Sequence, residues 1–220
     1  YKHQYGIKMP EIIIPGPEGR LEARYQKGNE GNSPLCVVLH PHPRQGGTMN
    51  NKLVYRTYQA FKNSNFSTLR FNFRGVGRSQ GTYDNGIGEL TDAAAALDWL
   101  QAENPTARTT WIAGFSFGAW LALQLLMRRP EISGFVAISP PASLYDFSFL
   151  APCPSNGLII QGTEDKIVEE QHVTELVEKL NKQKNLKIEY KKIIGADHFF
   201  AKSLDDIQNK IEKYISKNSN

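Results

Sequence analysis

Cysteine is nearly absent from this 220-residue chain: Cys36 lies in an apolar run and Cys153 between two prolines. Two such residues make no disulfide framework, and they read as free thiols of a reducing compartment, the cytoplasm. Long hydrophobic runs are lacking too. The longest, residues 113–127, carries Ser116 and Gln124, and is too short and too polar to span a bilayer. The start shows no basic segment, apolar core and cleavage site of a secretory leader. A large charge excess is also missing, the net charge being +4. Lysines crowd the last third (Lys179, Lys182, Lys184, Lys187, Lys191, Lys192), but Glu175, Glu178 and Glu189 are mixed among them. That mixture reads as a solvated helix face and an exposed strand, not a nucleic-acid or membrane surface.

What is present points to a globular protein. Hydrophobic residues make up 40% of the chain, and 11 Phe, 9 Tyr and 3 Trp are spread along it, which excludes disorder as the main state. The length fits one compact domain over 1–220 that buries roughly 70% of its unfolded surface. Nothing in the composition bears on oligomeric state, so a homo-oligomer stays open.

Apolar runs and helical periods alternate. Residues 11–14 and 21–26 are strand candidates around the turn Pro15-Gly16-Pro17-Glu18-Gly19. Residues 35–39, 68–73, 109–113, 134–138 and 157–161 are continuous apolar runs, as strands covered on both faces should be. Between them Val54, Thr57, Tyr58 and Phe61 recur at helical spacing. So do Ile87, Leu90, Ala94 and Leu97, then Val173, Leu176, Val177 and Leu180, and finally Leu204, Ile207, Ile211 and Ile215. The pattern is α/β: a mostly parallel central sheet with helices on both faces, and no repeat or linker to divide it. Such sheets place chemistry just beyond the carboxyl ends of their strands.

The strongest signal there is Gly114-Phe115-Ser116-Phe117-Gly118, between the run 109–113 and the apolar helix 119–128. A nucleophile raised on a tight strand-to-helix turn needs small neighbours two residues either side, and the helix N-terminus favours negative charge nearby. The plainer alternative is a serine that only caps the helix. A serine nucleophile needs a base, and the base an orienting acid; in the α/β-hydrolase order the acid and then the histidine follow the serine. After the run 157–161 comes Gly162-Thr163-Glu164-Asp165, with Asp165 the candidate acid and Glu164 its rival. After residues 186–194 comes Gly195-Ala196-Asp197-His198, and His198 is the candidate base. Only five histidines compete: His3 lies in the tail, His172 in a charged helix start, and His40 and His42 in the loop after residue 39.

The tetrahedral intermediate also needs two N–H donors. One is the backbone amide of Phe117. The second is expected from His40-Pro41-His42-Pro43-Arg44, where the prolines have no N–H and His42 is the choice, with Arg44 behind it. The pair His40/His42 has no third metal ligand near in sequence, and no metal is expected. Arg74-Gly75-Val76-Gly77-Arg78-Ser79-Gln80-Gly81 imitates a dinucleotide fingerprint, but Gln80 stands where the third glycine belongs. A tight loop after a strand accounts for it, and no cofactor is expected.

Four segments, HPHPRQGGTMNN (40–51), FNFRGVGRSQG (71–81), AGFSFGA (113–119) and GADHFF (195–200), resemble a bacterial subgroup of small α/β-superfamily hydrolases, related in style to dienelactone hydrolases and short-chain esterases. The similarity runs from about residue 9 to 215. It implies an α/β-hydrolase fold, a Ser116–Asp165–His198 triad and no cofactor. Two departures stand out. Dienelactone hydrolases proper use a cysteine where Ser116 stands, and many superfamily members have Asp where Asn72 stands, a change that touches loop support.

The expected reaction is hydrolysis of a small carboxylic ester by acyl transfer to Ser116, with water releasing the acyl group. Amide, thioester and lactone substrates share the triad, and a non-catalytic binding protein on the same fold is the rival from another class. A lid, where the family has one, is inserted after the strand 134–138. Residues 139–156 are too few for a lid domain, so a minimal lid or none is expected, and short acyl chains with it. Tyr145, Phe147 and Phe149 in that segment are candidates for one wall of a shallow pocket, or else they pack the loop onto the core.

Overall fold

The computed structural model describes residues 11–219. The alternation resolves there into β1 (Glu11–Gly16), β2 (Gly19–Gln26), β3 (Leu35–Leu39), α1 (Lys52–Asn63), β4 (Ser67–Phe71), α2 (Ile87–Glu103) and β5 (Thr110–Phe115). It continues through α3 (Phe117–Arg128), β6 (Ile132–Ile138), β7 (Gly157–Gly162), α4 (Glu170–Asn181), β8 (Ile188–Ile193) and α5 (Leu204–Asn218). All eight strands join one sheet in the order β1-β2-β4-β3-β5-β6-β7-β8. β3 to β8 pair in parallel. The β1–β2 hairpin adds on antiparallel to β4.

Successive strand side chains point to opposite faces, and both faces are covered. Val37, Leu39 and Ile112 join one core with Leu97 of α2, Leu121 of α3 and Val173 of α4. Their neighbours Cys36, Val38 and Ala113 join a second core with Phe61 of α1 and Ile211 of α5. A strand with a buried residue on each face must be apolar throughout, which is why these runs show no period-two alternation. Cys36 and Cys153 are both buried and free.

Several boundaries differ from the sequence expectation, three of them at turns or near the site. β1 and β2 pair as far as Gly16 and Gly19, so the turn is only Pro17-Glu18. The run 68–73 leaves the sheet after Phe71 because the Phe73 N–H donates to the His40 ring instead of to a strand. The helix after Ser116 begins at once with Phe117.

The strand order puts β4 on one side of β3 and β5 on the other, so the chain reverses direction across β3 and opens a crevice where β3 and β5 end. Residues 139–156, between β6 and β7, contain neither helix nor strand. The fold is that of an α/β hydrolase without a lid. Among the described residues no helix is long and apolar enough to cross a membrane.

Candidate active site

Ser116 sits at the junction of β5 and α3 with φ 56° and ψ −116°, a region that non-glycine residues enter only under constraint. The constraint is visible on both sides. A Cβ on Gly114 would lie 2.2 Å from the Gly118 carbonyl oxygen, and one on Gly118 would lie 2.3 Å from the Leu39 carbonyl oxygen. The Ser116 N–H donates to the Ile138 carbonyl at 2.8 Å, pinning the turn to β6. Although Ser116 precedes the helix, its side chain makes no capping bond. Its Oγ lies 3.0 Å from His198 Nε2.

His198 reaches the serine from the loop after β8, its ring buried against Phe115. Its Nδ1 lies 2.7 Å from Asp165 Oδ2. With Nδ1–H donated to the carboxylate, Nε2 keeps the lone pair that can accept the Ser116 proton. Asp165 follows β7 and is itself buried. Its Oδ1 accepts the N–H groups of Ile167 at 2.9 Å and Val168 at 2.8 Å. Its Oδ2 also accepts from Gln161 Nε2 at 3.2 Å. Glu164 is exposed and takes no part; only its backbone N–H is used, donating to Ala196 and tying the acid loop to the histidine loop.

Gln161 escaped the reading of the sequence. It is fully buried in β7, and its amide bridges Asp165 and the Val168 carbonyl, the latter at 2.8 Å. The signal was a lone amide in an otherwise apolar strand four residues before the acid.

The loop after β3 is fastened by its histidines. His40 is fully buried; its Nδ1–H donates to the Pro41 carbonyl at 2.6 Å and its Nε2 accepts the Phe73 N–H at 3.1 Å. Burial pushes its pKa down to about 4, against the opposing pull of the Pro41 carbonyl. His42 Nδ1 accepts the Arg44 N–H at 3.1 Å, so its Nε2–H donates to Tyr83 Oη at 3.0 Å. Burial lowers its pKa as well. All four ring nitrogens are committed inside the protein, and among the described residues no group of three or more His, Cys, Asp or Glu could hold a metal ion. Farther along the loop, Asn72 Oδ1 accepts the Met49 N–H and Arg70 donates to the Met49 carbonyl, both at 2.8 Å.

The backbone N–H groups of His42 and Phe117 have no acceptor among the described residues, whereas the Arg44 N–H is engaged. His42 and Phe117 line one cleft with Ser116 and His198, about 160 Å³ in volume.

Tyr145 lines this cleft and stacks on Trp120 at 4.0 Å. Phe147 and Phe149 do not, which corrects the expected wall. Phe147 is buried in the core, and Phe149 stacks on it at 5.8 Å. The loop turns between residues 145 and 147, and the apolar core captures the second and third rings. Pro141, Leu144, Ile167 and Phe199 complete the cleft's apolar rim. The loop 74–81 is tied into the fold on both sides. The Glu22 carboxylate accepts from Asn72 Nδ2 at 2.7 Å and from the Arg78 N–H at 3.1 Å. Arg74 grips Asp92 through two nitrogens at 3.1 and 2.9 Å. His172 is exposed, and His3 lies outside the described residues.

Residues 20–152 match the X-Pro dipeptidyl-peptidase (S15) family. The protein RP471 of Rickettsia prowazekii is 54% identical over 211 residues, which cover 94% of this chain and 89% of that one. The crystal structure of ATU1826, an α/β-hydrolase-type protein of unknown function from Agrobacterium tumefaciens, is also 54% identical, with a TM-score of 0.92 over 94% of this chain and 95% of that one. XC6422 of Xanthomonas campestris, an α/β serine hydrolase without a lid, is 32% identical with a TM-score of 0.85 over 98% and 97%. A match over more than half the chain, joined to these whole-length likenesses, shows that the chain belongs to the X-Pro dipeptidyl-peptidase (S15) family and with it to the α/β hydrolases.

Proposed function

We propose that this protein hydrolyses esters of small carboxylic acids through an acyl-enzyme. The observation that carries the reading is the continuous chain from Ser116 Oγ through His198 to Asp165, with steps of 3.0 and 2.7 Å. As the Ser116 oxygen attacks the carbonyl, His198 Nε2 takes its proton. Asp165 holds the imidazole tautomer and stabilises the imidazolium. The developing oxyanion is met by the N–H groups of His42 and Phe117, already held in place and free of other acceptors. The same proton then passes to the leaving alkoxide, and water, activated by His198, releases the acid.

The lining of the cleft supports an ester over an X-Pro peptide. Among the described residues no Asp or Glu side chain lines it. The α-ammonium of a peptide cut two residues from its amino end would find no counter-charge, and an unpaired charge is costly to desolvate. Absence of a lid and the small cleft volume favour short acyl groups, since each further methylene gains about 0.8 kcal/mol only where it can be buried.

A fluorophosphonate probe and a chromogenic panel test this. Wild type should be labelled and Ser116→Ala should not. The variant should lose on the order of 10⁶-fold in kcat on p-nitrophenyl butyrate while unfolding at the same temperature. Activity should peak at acyl chains of roughly two to six carbons. Turnover of an X-Pro p-nitroanilide with none of the esters would refute the ester reading. Retention of more than a few per cent of activity by Ser116→Ala would remove Ser116 from its role.

A further inference from the structure

Among the described residues eight large apolar side chains are exposed, and three of them, Leu144, Ile167 and Phe199, line the one cleft that holds Ser116. Exposed apolar surface gathered at a reactive serine calls for a ligand to cover it. Phe199 flanks His198, and Ile167 lines the same cleft from the turn that holds the acid. Phe199 is the next residue in the chain, 50% exposed, with its ring edge-on to the imidazole at 5.2 Å. Ile167 is 46% exposed and stands on the turn whose N–H groups hold Asp165. Leu144 comes from a different segment, the loop after β6, beside Tyr145.

The direction of proton transfer gives these positions a meaning. When the tetrahedral intermediate collapses, the bond from the carbonyl carbon to the alcohol oxygen breaks. That oxygen takes the proton from His198 Nε2, while the bond to Ser116 Oγ remains. The alcohol oxygen must therefore sit within about 3 Å of Nε2. Its substituent leaves along the flank of His198, and the acyl substituent is directed elsewhere by the carbonyl oxygen's place at the His42 and Phe117 N–H groups.

We infer that Phe199 and Ile167 form a shelf for the alcohol part of the ester, so that the enzyme selects esters whose leaving alcohol is apolar and extended, such as hexyl or benzyl, over those of methanol. The selection is made in acylation. Esters of one acid share one acyl-enzyme, so deacylation is blind to the alcohol. This inference rests on the proposed ester hydrolysis, and its test separates the two.

The experiment compares methyl, hexyl and benzyl butyrate with wild type, Phe199→Ala and Ile167→Ala, following butyrate release. Both side chains are about half exposed, so their truncation leaves the core intact. Wild type should prefer the hexyl and benzyl esters in kcat/KM, and Phe199→Ala should cut that preference about tenfold, the worth of one apolar contact of this size. The kcat/KM for methyl butyrate should fall less than that for the hexyl and benzyl esters, and the rate of breakdown of the common butyryl-enzyme should be the same whichever ester formed it. Equal loss on all three esters, or no loss on any, would overturn the shelf while leaving the hydrolase reading intact. Failure of wild type to cleave any of the three would overturn the ester reading, and the shelf with it.

Discussion

Acid should loosen this protein through a histidine that takes no part in the reaction. His40 is fully buried and neutral, with both ring nitrogens bonded: Nδ1–H to the Pro41 carbonyl and Nε2 to the Phe73 N–H. A second ring proton would set two donors against each other, N–H facing N–H, inside the core. Burial accordingly lowers its pKa from 6.5 to about 4. Because the unfolded chain binds a proton at this site below pH 6.5 and the folded chain does not until about pH 4, folding loses ground as pH falls through that window. The stabilisation is fully present above pH 6.5 and gone below 4. Linkage makes the loss about 2 kcal/mol by pH 5 and about 3 kcal/mol below pH 4. The assay is urea unfolding at pH 7.5 and 5.0 for wild type and His40→Gln. The variant should be less stable at pH 7.5, but its drop between the two pH values should be smaller than that of wild type by about 2 kcal/mol. Parallel pH dependence in the two proteins would refute the reasoning, because other titrating groups contribute equally to both.

Two further outcomes separate neighbouring residues. Asp165→Asn should lower kcat on p-nitrophenyl butyrate by about 10⁴-fold, since the amide presents the wrong partner to His198 Nδ1. Glu164→Gln, at an exposed carboxylate, should leave steady-state kinetics within about twofold; the reverse ranking would exchange their roles. Phe147→Ala should cost about 3 kcal/mol in urea unfolding, because the ring is buried in the core. It should leave the acyl-chain profile unaltered, and a changed profile with unchanged stability would return Phe147 to the pocket.

The sequence made the sheet legible because strands covered on both faces leave uninterrupted apolar runs, and Leu35–Leu39 divides its side chains between two cores as such a run must. Ser116 was legible for a related reason, standing where the apolar strand β5 stops, whereas His198 follows the mixed-polarity strand β8 at the edge of the sheet. Asp165 and Glu164 were harder, being adjacent. What separates them is side-chain length: the Asp165 carboxylate turns back to accept the N–H groups two and three residues on, a bond that short Asx side chains make. The aromatics of residues 145–149 could not be sorted at all. Their spacing of two has no meaning outside a strand, and Tyr145 faces the cleft while Phe147 enters the core.

Three buried polar residues share one position in the fold. His40 follows the last residue of β3, Asn72 follows the last residue of β4, and Gln161 stands next to last in β7; all three are buried. An apolar side chain there would bury equally well, so hydrophobic packing does not explain them. Each spans from its strand end to the backbone of a loop at the site. His40 joins Pro41 to Phe73, Asn72 holds the Met49 N–H, and Gln161 holds the Val168 carbonyl and the Asp165 carboxylate. A buried polar group is costly unless its partners are supplied; apart from the Gln161 Oε1, which has none among the described residues, these side chains bond to loop backbone and to the Asp165 and Glu22 carboxylates. Loops carry the reacting groups, and the rigid sheet can position them only through such bonds. A polar residue at the carboxyl end of an apolar run can therefore be read as a fastener for the loop that follows or crosses it. Its loop partners lie 1, 33, 23, 7 and 4 residues away in the chain, a scatter without period, which is why hydrophobic patterning passes over it.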